Sequence, residues 1–365
     1  MRKAWRSIFP VGLFFLALIP RLIYPVSRPL VWYVRAVRFA EAISQANWHR
    51  TVFSEHPGVT VMWLSGGALR AYYAATGQTS SALNAGPLSF RGPVSHLEIQ
   101  IGVAPLALTI ALCILLAYWL LRKLFDRRVA VAASILLAVD PFHLANSKVL
   151  HPDALLASFI LLTLLTLLVY LKRDALIWLA CSGVFAGLAT LTKAPAFSLV
   201  PYSLGAIGLT KVLRYVPGKR IGLGVLKPLG HVLGAWLLWM TILVIVFFVL
   251  WPVMWVSPYE GLRWIYKGVA FHSANPHDSA TFFRDEVVLD PGPAFYPVAW
   301  LFKSTSVSLL FGVLGGILVV VQKRHRQQEG FWLFLLALYA GLFLLGMSFS
   351  PKKINRYALP ALAIT

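Results

Sequence analysis

Carboxylates are scarce in this chain, so the few that stand beside a histidine are the first candidates for chemistry. The sequence has 365 residues and only 13 aspartates and glutamates. Glu55 and His56 lead into a Pro-Gly pair in SEHPGVTVMW, and Asp153 opens an apolar run in LHPDALL. A carboxylate or imidazole at such a place can serve as a general acid or base. Each also has a structural interpretation, because Asp caps helix N-termini and Pro57 suits a first helical turn.

Basic side chains stand at three places where apolar runs begin or end. The stretches are GLATLTKAP with Lys193, PVAWLFKST with Lys303, and PKKINRY with Lys352, Lys353 and Arg356. If these ends meet on one face, their cations form an anion pocket, and a phosphate carried on a lipid is the natural anion there. Contact with lipid headgroups is the alternative for each of these cations.

A third polar group lies within nineteen positions near residue 280. Its members are His272, His277, Asp278, Asp285, Glu286 and Asp290. Histidine and carboxylate side chains are suitable ligands for a divalent ion, although this spacing matches no fixed metal motif.

The composition places these residues in a membrane protein. Apolar residues make up 59% of the chain and charged residues 13%, whereas soluble domains carry about 25% charged residues. Apolar stretches of about 17 to 25 residues are long enough to cross a bilayer. The net charge is +20, and the basic residues stand at the ends of apolar runs instead of forming a soluble basic patch. Cys113 and Cys181 both lie inside apolar runs, which indicates buried thiols. The fold class is therefore an all-α polytopic membrane protein.

The span pattern predicts one domain over residues 1–365 with its polar groups on the outer face. We predict spans at about 8–26, 100–121, 129–146, 154–171, 176–192, 196–213, 229–250, 304–321 and 330–348, and a tenth from Tyr357. Short connections rich in Lys and Arg belong inside, which leaves two large outer segments, about 27–99 and 251–303. Helical periodicity at 31–45 and 58–75 predicts interfacial helices in the first of them. The terminal stretch YALPALAIT has no polar flank, so the last helix is incomplete or the sequence is a fragment of a longer protein; we expect the second.

Six stretches together resemble a known family. They are RAVRFAEAI, NWHRTVFSEHPGVTVMWL, LHPDALL, GLATLTKAP, DPGPAFYPVAWLFK and KKINRYALP. In order and topology they resemble the lipid carrier-dependent glycosyltransferases of GT-C fold, the group of aminoarabinose transferases and protein O-mannosyltransferases.

The resemblance implies an outward-facing enzyme of the cytoplasmic membrane. Such an enzyme moves a sugar from a polyprenyl phosphate to a lipid, glycan or protein acceptor, with inversion, and it needs no nucleotide-sugar site. Asp153 matches an acidic residue that opens the fourth span, and Glu55, with His56 beside it, matches a metal-binding glutamate of the first loop. His272 or His277 would be the second metal ligand. The residues implied to hold the donor phosphate are Lys193, Lys352, Lys353, Arg356 and Tyr357.

One position departs from the family pattern. Where related sequences have Asp-Glu-Pro after the first span, this chain has Ser27, Arg28 and Pro29. A serine cannot act as a carboxylate base, so Glu55 or Glu41 takes its place, or the chain is an inactive relative that binds lipid phosphate. A transporter or flippase is a third possibility, but the spans are nearly uncharged and the polar groups crowd one surface.

Overall fold

The fold is predominantly helical, as predicted. A computed structural model describes residues 2–26, 30–53, 55–84, 92–215, 226–276, 280–321 and 327–364. Within these ranges the first eight α-helices are α1 Arg2–Leu22, α2 Val31–Ser44, α3 Val59–Thr76, α4 His96–Leu124, α5 Arg127–Val139, α6 Pro141–Ser147, α7 Asp153–Arg173 and α8 Leu176–Thr192. The other eight are α9 Leu199–Tyr215, α10 Leu226–Leu250, α11 Val253–Val256, α12 Pro258–Ala274, α13 Phe295–Lys303, α14 Ser306–Val321, α15 Gln327–Ser348 and α16 Leu359–Leu362. Two short strands, β1 Thr281–Phe283 and β2 Glu286–Val288, pair antiparallel in the second outer segment and were not predicted.

The chain is an integral multi-pass membrane protein. Among the described residues five helices are long and apolar enough to cross a membrane: α4, α7, α10, α15 and the helical stretch Ala194–Leu213. Two bent pairs raise the number to seven if each is one span, with bends of 52° between α5 and α6 and 100° between α13 and α14. The straight span predicted at 129–146 is therefore broken, whereas the span predicted at 304–321 coincides with α14 and follows the second bend. At the first break Asp140 ends α5 and accepts a hydrogen bond from the His143 N–H, which caps α6.

Helix α7 forms the centre of the bundle. Every residue from Asp153 to Leu171 is buried, and α7 packs against α4, α8 and α16. A helix that is apolar on all sides is stable only when other helices surround it. Because α7 and α8 are antiparallel neighbours, the first residue of α7 and the residue after α8 lie at the same end of the bundle.

Small residues bring α8 and α10 into close contact. A β-carbon built on Gly183 would lie 3.0 Å from the Trp239 carbonyl oxygen of α10, and one on Gly187 would lie 3.0 Å from that of Leu243. Small residues four apart permit this kind of backbone approach between membrane helices. The contact fixes the end of α8, where Lys193 follows.

The predicted helices of the first outer segment are present as α2 and α3. The sequence suggested that Pro57 lies in the first turn of a helix. Helix α3 instead begins at Val59, so Pro57 lies before it. Gly58 turns the chain with a φ of 60°, and a β-carbon there would collide with the ring of Trp32. The turn therefore requires glycine.

Candidate functional site

Asp153 joins two cations from distant parts of the chain. Its Oδ1 accepts a hydrogen bond of 2.6 Å from Lys193 Nζ, and its Oδ2 lies 3.0 Å from Arg356 Nε. The side chains of Asp153 and Lys193 are only 4% and 3% exposed. Asp153 is the first residue of α7, whose N-cap is Pro152, and the contacts of its two oxygens favour ion pairing over the capping interpretation.

His151 is the third group on this carboxylate, and the sequence interpretation missed it. Its Nδ1 lies 3.1 Å from Asp153 Oδ2, and its ring meets Trp32 edge to face at 5.9 Å. Burial, more than any charge nearby, lowers the pKa of His151, and Lys193 and Arg356 lower it further against the opposing effect of Asp153. The lowered pKa favours a neutral His151 ring, which packs between the Asp153 carboxylate and the Trp32 ring. The sequence feature that could have identified His151 is its position two residues before Asp153 in LHPDALL.

A narrow cavity opens beside the Asp153 cluster. Lys193 Nζ lies 4.0 Å from the centre of the Tyr357 ring, a cation–π contact. The cavity is lined on its polar side by Asp153, Lys193, Arg356 and Tyr357. Its apolar side consists of Leu156, Pro195, Phe343 and Pro360. Cations at one wall and hydrocarbon at the other match the two parts of a lipid phosphate. The space between them is only about 10 Å³, so the lining side chains must move apart to admit a phosphate.

The turn that carries Glu55 and His56 is attached to the end of α8. The Gly58 N–H donates to the Thr192 carbonyl oxygen at 3.2 Å, and the hydroxyls of Thr60 and Thr192 are 2.7 Å apart. Because Lys193 follows Thr192 directly, these bonds place the turn beside the Asp153 cluster.

Glu55, His272 and Lys352 form a chain of polar contacts. Glu55 Oε2 lies 3.0 Å from His272 Nε2, and Lys352 Nζ lies 2.7 Å from His272 Nδ1. An ammonium group only donates, so Nδ1 accepts and Nε2 carries the proton that points at Glu55. The His56 ring stacks on the His272 ring at 4.9 Å. Neither Glu55 nor His56 caps α3, whose N-cap is Gly58.

The surroundings of both stacked imidazoles lower their pKa and favour the neutral form. Burial lowers the pKa of His56 well below 6.5, and the charges of Lys193 and Lys352 add to the effect. Burial likewise lowers the pKa of His272, followed by the charge of Lys352, while Glu55 opposes them.

The metal prediction receives limited support from this arrangement. The described residues hold no group of three or more His, Cys, Asp or Glu that could bind an ion. Glu55 and His272 supply two ligand atoms, fewer than the four usual for zinc, and His272 uses both ring nitrogens in the contacts above. His277 and Asp278 lie outside the described residues. A divalent ion stays a prediction.

The remaining predicted cations separate into two groups. Lys353 is buried, and its Nζ donates to Asp290 Oδ1 at 2.8 Å and to the Ser350 carbonyl oxygen at 2.7 Å. These bonds hold the segment between α15 and α16 next to Arg356. Lys303, at the end of α13, instead lies over the Phe142 ring at 5.7 Å, and the structure does not join it to Asp153 or Glu55.

Arg35 is a further cation that the sequence did not single out. Its guanidinium lies 4.7 Å from the centre of the Trp32 ring. Burial lowers the pKa of Arg35 to about 10, and the nearby Glu55 carboxylate opposes that shift. The group is therefore charged at pH 7 and faces Glu55 from the side of α2.

The site carries more positive than negative groups. Its five cations are Lys193, Arg356, Lys352, Lys353 and Arg35, and its three carboxylates are Asp153, Glu55 and Asp290. An excess of fixed cations favours an anionic ligand. Glu41 pairs with Arg70 at 2.9 Å, and Asp285 and Glu286 belong to the exposed β1–β2 hairpin. Ser27 and Arg28 lie outside the described residues.

Comparison with known proteins connects this geometry to a fold. The family model described as dolichyl-phosphate-mannose-protein mannosyltransferase matches residues 96–223. No curated protein sequence is significantly similar to the chain.

Two solved structures are similar over the whole chain. ArnT from Cupriavidus metallidurans, bound to undecaprenyl phosphate, has a TM-score of 0.66 and 14% identity and covers 100% of this chain. The archaeal oligosaccharyltransferase AglB from Archaeoglobus fulgidus, in complex with an inhibitory peptide and a dolichol-phosphate, has a TM-score of 0.53 and 15% identity. This chain spans 59% of the length of ArnT and 50% of that of AglB. At such low identity the likeness concerns the fold. The chain has the GT-C glycosyltransferase fold, and it resembles the aminoarabinose transferase and protein O-mannosyltransferase group.

Proposed function

We propose that this protein is a membrane glycosyltransferase that takes a sugar from a polyprenyl phosphate and transfers it to a lipid, glycan or protein acceptor. Its site faces outward at the surface of the cytoplasmic membrane. The observation that carries the proposal is the Asp153 cluster, in which Lys193 and Arg356 line a cavity that is apolar on its other side. The polyprenyl phosphates bound to ArnT and AglB have this same chemistry, an anion on a hydrocarbon chain.

Lys193 and Arg356, with Tyr357 beside them, are proposed to hold the donor phosphate. When the sugar–phosphate bond breaks, negative charge grows on the phosphate, and fixed cations stabilise that charge more strongly as it develops. Asp153 is proposed to act as an anchor, because both of its oxygens already contact cations or His151. It keeps the cations in place in a buried setting where unpaired charges would be costly.

Glu55 is proposed to accept the proton of the acceptor. Its side chain is 39% exposed, so an acceptor can reach it, and His272 contacts one of its oxygens at 3.0 Å. Attack by the acceptor from the face opposite the phosphate is a single displacement and inverts the anomeric centre.

The test is transfer by the purified full chain. Radiolabelled polyprenyl-phosphate sugars are supplied with membrane lipids, and lipid, glycan and peptide fractions are assayed for label. Transfer that requires Lys193 supports the proposal. Absence of sugar release from the wild-type chain, and from Ser27→Asp, overturns it.

A second function is lipid-phosphate binding without transfer. It is favoured by the contacts of Asp153 and Glu55, both of which already meet cationic or imidazole partners, and by Ser27 in place of an acidic residue. Retention of undecaprenyl phosphate by wild-type protein that releases no sugar would establish this function instead.

A further inference from the structure

A second, larger cavity lies on the outer segments, away from the Asp153 cluster. It has a volume of about 750 Å³ and lies between the end of α2, the 3-10 turn Trp48–Thr51 and α12. The side chains that give it chemical character are Arg38, Glu41, His49, Arg50, Phe53 and Trp264. We call it the α2–α12 groove.

The groove is positively charged. Glu41 is the one carboxylate among its described lining residues, and it is already engaged. Glu41 Oε2 pairs with Arg70 at 2.9 Å, and its Oε1 accepts a hydrogen bond of 2.7 Å from Gln45. Arg38 and Arg50 outnumber this carboxylate among the described lining residues, so a bound ligand should carry a negative group.

Two aromatic rings accompany these cations. Trp264 on α12 is 43% exposed, and Phe53 lies under the Arg38 guanidinium at 5.9 Å. The face of an aromatic ring carries negative potential and attracts the C–H groups on the apolar face of a sugar. An exposed ring beside polar, cationic groups suits a saccharide better than a purely apolar ligand.

The wall of the groove is rigidly connected to the neighbouring helices. Trp251 Nε1 donates to the Thr51 carbonyl oxygen at 3.2 Å, and the rings of Trp48 and Trp255 pack edge to face at 5.3 Å. These contacts fix the 3-10 turn against α10 and α11, so the groove is already formed without a ligand.

One face of α12 links the groove to Glu55. Trp264, Gly268 and His272 follow each other at four-residue intervals and share that face. Trp264 lines the groove, Gly268 packs on the Glu55 backbone, and His272 contacts the Glu55 carboxylate. Eight residues of helix correspond to about 12 Å. A molecule bound in the groove therefore reaches the Glu55 carboxylate only if it is longer than one sugar.

We propose that the α2–α12 groove binds a negatively charged saccharide, with Arg38 and Arg50 on the anionic group and Trp264 against a sugar ring. Its role as the distal part of the acceptor rests on the proposed function. The binding itself does not, because it needs none of the residues assigned to the donor phosphate.

The test is a ligand-observed NMR titration of the full chain in detergent. The probes are glucose 1-phosphate, glucose and inorganic phosphate. Arg50→Ala and Trp264→Ala remove the two groove contacts. Arg263→Ala and Tyr266→Ala are matched controls, because both residues are exposed on α12 and neither lines the groove. Lys193→Gln removes a cation that is proposed to hold the phosphate of the sugar donor.

Glucose 1-phosphate is expected to bind more tightly than either glucose or phosphate. Loss of one charged contact should weaken that binding about tenfold in Arg50→Ala, with a clear loss also in Trp264→Ala. Arg263→Ala and Tyr266→Ala should leave it unchanged. Three results would each overturn the proposal: no saturable binding, binding lost in Lys193→Gln but kept in Arg50→Ala, or equal affinity for phosphate alone. A chain that binds the probe in the groove but transfers no sugar would contradict the proposed function and leave the groove assignment intact.

Discussion

Lys193 and Asp153 are separated by 40 residues in sequence, yet Lys193 Nζ and Asp153 Oδ1 lie 2.6 Å apart with both side chains almost fully buried. One follows the last residue of α8 and the other is the first residue of α7. The pair therefore depends on the antiparallel packing of two apolar helices. Arg356 completes it from the segment before α16, so three parts of the chain must fold together before the cavity exists.

Breaking this pair should destabilise the protein strongly. Asp153→Asn leaves two cations beside a neutral amide, and Lys193→Met leaves a carboxylate short of its nearest cation. Removing one partner of a buried pair costs about 3–5 kcal/mol. We expect each change to lower the free energy of unfolding by about that amount in a denaturant titration in micelles. The double variant should cost less than the sum of the two.

The exposed pair Arg70–Glu41 provides the control for that experiment. Its side chains are 51% and 33% exposed, so Arg70→Ala should cost less than about 1 kcal/mol. If Asp153→Asn costs no more than Arg70→Ala, the anchor assignment is wrong. In a transfer assay, both changes are expected to reduce turnover more than about tenfold. Lys193→Met removes a cation from the donor phosphate, and Asp153→Asn removes the carboxylate that positions Lys193 and Arg356.

Glu55→Gln should separate chemistry from binding. The amide keeps the shape of the side chain but cannot accept the acceptor proton, so turnover is expected to fall more than about tenfold. Retention of radiolabelled undecaprenyl phosphate on purified protein should not change, because Lys193, Arg356 and Tyr357 are untouched. Glu260→Gln, on the exposed first turn of α12, is the matched control. Equal turnover in Glu55→Gln and wild-type protein would exclude Glu55 as the base.

The sequence predicted much of the site because several of its residues stand next to apolar runs. Asp153, Lys193 and Arg356 were all chosen from their places at span ends, and the structure brings them together. The same rule included Lys303, which stands at an equivalent place but lies over Phe142. Apolar patterning locates the end of a helix, but it does not determine which direction a bent pair such as α13 and α14 takes after its break.

Residues that act through packing were harder to predict. His151 and Arg35 contribute through contacts with Trp32, and the close approach of the Glu55 turn depends on Gly58 and Gly268. Such contacts link α2, α3 and α12 across long sequence distances. The periodicity of a single sequence does not predict which side chains from these helices are in contact. The β1–β2 hairpin was missed for a similar reason, because strands of three residues are too short to show alternation.

Gly268→Ala should disturb the site without removing a functional group. A β-carbon at Gly268 would lie 2.8 Å from the Glu55 carbonyl oxygen and would also collide with the Glu55 side chain, so α12 and the Glu55 turn must separate. We expect a lower melting temperature and a loss of turnover similar to that of Glu55→Gln. Gly341→Ala on α15, where a β-carbon meets nothing within 4 Å, should preserve both. Normal turnover in Gly268→Ala would show that this close contact is not needed.

The buried imidazoles should make the protein less stable as the pH falls below neutrality. Burial lowers the pKa of His56 well below 6.5, so the native state stays neutral at a pH where the unfolded chain has already bound a proton. The stability that neutral His56 contributes is complete above pH 6.5 and is lost as the pH falls toward the native pKa, at up to about 1.4 kcal/mol per pH unit. Melting temperatures measured from pH 8 to pH 5 should decline for wild-type protein and decline less for His56→Gln. His96→Gln at an exposed position is the control and should follow the wild-type curve. Parallel curves for wild-type protein and His56→Gln would mean that folding does not lower the pKa of His56, and the assignment of a buried neutral imidazole would then be wrong.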